Sequence, residues 1–116
     1  MRTLKSAYGG GFFVSISANY SIKAENGRVQ TIVPSVSSLV ATLPDARTLP
    51  LGFTFYLVNT LAGVDNISID YNNGSGAGEI IGRGALTIMR LAGNTTQNGL
   101  WYISFHSALF DIGRTD

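Results

Sequence analysis

One histidine, seven carboxylates and no cysteine are the whole stock of residues from which this chain could build a catalytic centre. His106 stands at the end of the last predicted strand. A Ser-His-Asp arrangement would normally place its serine on a G-x-S-x-G elbow, and the sequence has none. His106 therefore reads as a polar strand-end residue. Glycoside hydrolysis needs two carboxylates about 5 to 9 Å apart. Most of the carboxylates here sit beside turns or near the ends, where a solvated acid is the default. The stretch "DYNNGSGAGE" (Asp70–Glu79) has oxygen-bearing residues in a glycine-rich run, as a calcium loop does. Its glycine falls at the fifth position and its glutamate at the tenth, out of step with an EF-hand. "GSGAGEIIGRG" invites a phosphate-loop reading but lacks both the G-x-G-x-x-G spacing and a G-K-[ST] ending. Without cysteine, thiolate metal sites and disulfides are excluded. No catalytic, metal-binding or cofactor-binding residue is expected.

The elements that would have to position any such chemistry are short strands. Fourteen glycines, three prolines and many alternating runs predict an all-β domain. The expected form is a single antiparallel β-sandwich or small barrel of about seven to nine short strands, with no substantial helix. Residues 12–106 form that domain. Residues 1–11 are an N-terminal arm with the hinge Gly9-Gly10-Gly11, and residues 107–116 a C-terminal tail.

In the first strand Phe12, Val14 and Ile16 point one way. Asn26-Gly27 predicts a two-residue type I′ hairpin, with Glu25 opposite Arg28 and Ile22 opposite Thr31. Pro34 ends the strand after it. Pro44 to Leu49 can make one helical turn, with Asp45 near its start. "FTFYLVNT" is a strand with Phe53, Phe55 and Leu57 inward. Further strands carry Ile67, Ile69 and Tyr71, then "EII", then Leu86 and Ile88 on one face, and finally Trp101, Ile103 and Phe105 on one face.

Only 13% of residues are charged, about half the usual share, and the net charge is +1. Such a surface must either use Ser, Thr, Asn and Gly or be covered by neighbours. The charge balance gives no reason to expect nucleic-acid binding. No run approaches the ~18 apolar residues of a membrane helix, and the glycine triplet breaks any signal-peptide core. Tyr56 and Tyr102 fall on the opposite strand faces from the main apolar sets, which makes them candidates for a subunit contact. Arg2, Lys5 and Tyr8, in the arm, are candidates for docking to a partner.

The succession "LPDARTLPLGFTFYLVNT", "EIIG", "LTIMRLAG" and "NGLWYIS" resembles β-rich structural modules in virions of tailed bacteriophages. These occur in head decoration (cement) proteins and in tail-fibre or spike segments. The resemblance covers about Leu39 to Ser104. It implies a non-enzymatic capsid decoration protein, made in the host cytoplasm and placed on the outer surface of the assembled head. The implied partners are the major capsid protein and, in a homotrimer, further copies of the chain. The alternative implied is a head-fibre, tail-fibre or adaptor module that contacts a host surface or another virion protein.

Overall fold

Six of the strands are laid down alternately in two sheets, so that the chain winds as a coil. A computed structural model describes residues 12–106. The strands are β1 (Phe12–Ile16), β2 (Tyr20–Ser21), β3 (Val29–Pro34), β4 (Val40–Thr42), β5 (Thr54–Asn59), β6 (Ile67–Asp70), β7 (Gly76–Ile81), β8 (Ala85–Gly93) and β9 (Leu100–His106). One sheet has the order β1-β3-β5-β8-β9 and the other β2-β4-β6-β7. Successive odd and even strands up to β6 lie in different sheets. Each turn of the coil pairs in parallel with the next, as Phe12 beside Gln30 and Gln30 beside Leu57 show. In the second sheet Tyr20 lies beside Ala41 and Ala41 beside Ile69. The last strands return antiparallel: β7 on β6, β8 on β5 and β9 on β8.

The domain is all-β, and among the described residues no helix reaches seven residues. It departs from the expected wholly antiparallel form because both sheets are mixed. One local signal toward antiparallel pairing, Asn26-Gly27, has a different outcome. Ala24–Asn26 is a 3-10 turn and no hairpin forms at Asn26-Gly27. Gly27 N donates to Ala24 O and Asn26 N to Lys23 O. The fully buried Gln30 side chain donates to both Lys23 O and Gly27 O, each at 2.8 Å. This amide ties the corner from inside, so β2 and β3 can enter different sheets. Ile22, which a hairpin would set opposite Thr31, instead lies in the core.

Gly27 nevertheless has φ +101, a region that β-branched residues resist. Gly27→Val is expected to lower stability by about 1 kcal/mol or more in chemical denaturation. An unchanged midpoint would show that the corner relaxes to another conformation.

The two sheets share one core. Ile32, Phe55, Leu57, Met89, Leu91 and Trp101 contribute from the first sheet, and Ala41, Leu43, Ile67, Ile69 and Ile81 from the second. Pro34 does end β3, beside Ile16, with Ser35 N taking up the Ile16 carbonyl. The turn at Ala46–Thr48 forms as expected, with Asp45 as its cap accepting from Arg47 N. The Arg47 guanidinium also grips Asp45 through both carboxylate oxygens, at 3.0 and 2.7 Å. Those hydrogen bonds hold the Asp45 carboxyl below its ordinary range.

The expected inward strand face is correct for β5 and β6, where Phe55, Leu57, Ile67 and Ile69 are buried. In β8 Leu86 and Ile88 do share a face, and it points outward. Ala85, Thr87, Met89 and Leu91 face the core, while Leu86 and Ile88 turn outward and are half-buried. The reason is the Thr87 hydroxyl, which donates to Ile80 O across the join between the sheets. A hydroxyl with a partner can be buried at modest cost, and here it stitches β8 to β7.

Candidate docking face

The outward side of the five-stranded sheet is the most unusual surface of the described domain. Strand pairing places its side chains in rows, because successive residues alternate between faces. One row runs Phe13, Thr31, Val58, Leu86, His106. The next runs Val29, Tyr56, Ile88, Ser104, and a third Thr54, Arg90, Tyr102. Phe13 is 64% exposed, Tyr102 60%, Val29 44% and Tyr56 38%. Across these rows Arg90 is the one permanently charged residue, and there is no carboxylate. Rings and branched chains suit a pleated strand, but here the core lies on the other side and does not account for them.

The second sheet supplies the contrast. Its outward rows run Ser21, Thr42, Asp70 and Val40, Ser68, Ile80, a mixture of small, polar, acidic and half-buried aliphatic residues with no aromatic ring. An antiparallel or mixed sheet with one side in water normally alternates apolar inward with polar outward. The five-stranded sheet breaks that rule on its outer side.

Of the residues singled out in the sequence, Tyr56 and Tyr102 are brought to this one face, on β5 and β9 with β8 between them. Arg2, Lys5 and Tyr8 lie outside the described residues, as do the arm and the tail. Sequence reasoning missed Phe13, Val29, Ile88 and Arg90 as members of the same face. Ile88 was assigned with Leu86 to a common strand face, which is correct, but the direction of that face needed the partner strands.

Other candidate chemistry resolves into structural work. Ser104 Oγ and His106 Nε2 lie 2.5 Å apart on the outward side of β9. Among the described residues no carboxylate bonds the imidazole, so the pair lacks the third member that would orient it as a base. The calcium-like stretch is the turn between β6 and β7. There Tyr71 N donates to Ser75 O, and Asn73 Oδ1 accepts from both the N and Oγ of Ser75. The Asn73 oxygen is thus spent on the turn, and Asn72 Oδ1 accepts from Gln97. Among the described residues no group of three or more His, Cys, Asp or Glu could hold a metal ion. The phosphate-loop-like stretch is largely β7, with strand instead of a helix N-terminus behind it.

Two buried amides also serve the fold. Asn59, fully buried, donates to Asp65 O and Ile81 O and so fixes the loop after β5. Arg83 holds the same loop by donating to the Gly63 and Leu61 carbonyls. Gln30 Oε1 and Asn59 Oδ1 are buried without a hydrogen-bond partner among the described residues. Arg28 rests over the Phe53 ring at 5.0 Å, a cation–π contact at the edge of the core.

Compared with known proteins, the chain matches no family model, no curated protein and no solved structure.

Proposed function

We propose that this chain is a non-enzymatic structural protein of a bacteriophage virion, a capsid decoration protein that binds the outer surface of the assembled head and stabilises it. The observation that carries the assembly part of the reading is the largely apolar, carboxylate-free outer side of the five-stranded sheet, while attachment to the head rests on the sequence resemblance. A monomeric domain seldom leaves so continuous an apolar surface in water, and large apolar patches mark places where protein meets protein. Low overall charge agrees, since a chain that is covered by neighbours needs fewer solvating charges. The sequence resemblance at Leu43–Gly52 and Asn98–Ile103 supplies the phage setting, with the major capsid protein as partner and a homotrimer as the assembled form.

A fibre or adaptor role is the second reading, and one observation favours it. Strands that alternate between two sheets and stack in parallel are the winding of β-helical and solenoid proteins, which suit elongated assemblies.

Purified protein added to particles that lack it separates these. Saturable attachment in many copies across the shell, seen by electron microscopy, is the expected result. Copies confined to vertices or the tail would favour the fibre or adaptor reading. Failure to attach at micromolar concentration would contradict the decoration role.

A further inference from the structure

We infer that the outer side of the five-stranded sheet packs against further copies of this same chain, which makes it the self-association face. This deepens the proposed function and rests on its reading of the protein as an assembly module. It also assigns that face to the homo-oligomer and leaves shell attachment to other surfaces.

The size is appropriate. Five strands about 4.8 Å apart, with about five residues at ~3.3 Å each, span roughly 24 by 17 Å. Side-chain relief brings the accessible area of such a plane toward the ~800 Å² that each partner contributes to a stable interface. The composition is appropriate too. Exposed Phe13, Tyr56 and Tyr102 with half-buried Ile88 give rings and aliphatic chains that interlock when two sheets pack.

A face with one cation, several rings and no carboxylate suits a copy of the chain as the occupant. The Arg90 guanidinium makes no hydrogen bond or ion pair with another described residue, and Arg90 stands directly beside Tyr102, with Tyr56 diagonal to it. No carboxylate on the face can neutralise it. A second copy supplies what Arg90 lacks, because the face is rich in rings that can hold a guanidinium by cation–π contact. The chain already uses that contact once, at Arg28 and Phe53. The face thus carries both halves of the interaction, cation and ring, as a self-complementary surface requires. In the proposed trimer the contact is heterologous, with the Arg90 end of one copy's face against a ring-bearing part of the next copy's face.

Sedimentation velocity of the full chain between about 1 and 100 μM tests this. The wild type is expected to sediment as an oligomer. Tyr102→Lys, on a side chain too exposed to matter to the core and beside the like charge of Arg90, is expected to weaken association by about 30-fold or more. Ile88→Lys is expected to do the same or more. Val64→Glu, on an exposed loop residue away from the sheet, should leave association unchanged. Circular dichroism of each variant confirms that it is folded. A monomeric wild type across this range overturns the inference, and so does a folded Tyr102→Lys variant with undiminished association. An oligomer that fails to attach to particles would overturn the decoration role alone. A monomer that attaches would leave that role standing and overturn the self-association face.

Discussion

Phe55→Ala is expected to destabilise the domain by about 3–5 kcal/mol. Phe55 is fully buried near the start of β5, a central strand of its sheet, and pairs with Met89 of β8. Its ring meets Phe53 edge-on at 5.0 Å and stacks with Trp101 at 6.0 Å. Trp101 cannot fall into the vacated space, because its indole N–H is anchored to Asn98 O at 2.9 Å. The cavity would therefore stay largely open, which is the condition for the upper part of the range. Urea denaturation should show a lower midpoint with an unchanged slope. Phe53→Ala should cost less, since Phe53 is only half-buried. A loss below about 1 kcal/mol at Phe55 would mean that the two sheets do not close over this ring.

Gly99→Ala is expected to cost about 2–5 kcal/mol, for two reasons that add. Gly99 has φ +70, where a side chain costs roughly 1–2 kcal/mol. An added Cβ would also lie 2.5 Å from the Ala46 Cβ and 3.0 Å from the Gly93 carbonyl oxygen. Ala46 is fully buried and held by its own amide, which donates to Gln97 O at 2.9 Å. It cannot move aside without breaking the contact between the Ala46–Thr48 turn and the β8–β9 loop, and such overpacking costs about 1–3 kcal/mol. Gly74→Ala is the control. It has φ +91 but open space around the missing Cβ, so only the backbone part applies. Equal losses at the two positions would show that the turn and the loop are not in contact.

Strand existence and inward phase were readable wherever alternation was clean. β5, β6 and the Trp101 end of β9 fit the period-two pattern, and the Asp45 cap has a recognisable chemistry. Pairing was not readable. A parallel coil joins residues far apart in sequence: Gln30 lies between Phe12 and Leu57, and no local signal names either one. Asn26-Gly27 is a strong hairpin signal, yet a buried glutamine three residues further on redirects the chain. In β8 the common face of Leu86 and Ile88 was readable but its outward direction was not, because nothing local reveals the partner that lets the Thr87 hydroxyl be buried.

The docking face was half-visible for the same reason. Tyr56 and Tyr102 stood out by falling off the main phase of their strands. Phe13 and Ile88 did not, because an apolar residue in an apolar domain is first assigned to the core. The structure removes that assignment by showing that the core is already closed on the other side of the sheet.

The central claim is that the outer side of the five-stranded sheet is covered by protein in the assembled state. Hydroxyl-radical footprinting of the intact particle, normalised to the urea-unfolded chain, measures this directly. Phe13 and Tyr102 are expected to label far below what their 64% and 60% exposure in the single chain would give, while Leu51, 62% exposed on a loop, labels fully. Labelling of Phe13 and Tyr102 in proportion to those exposures would contradict the claim.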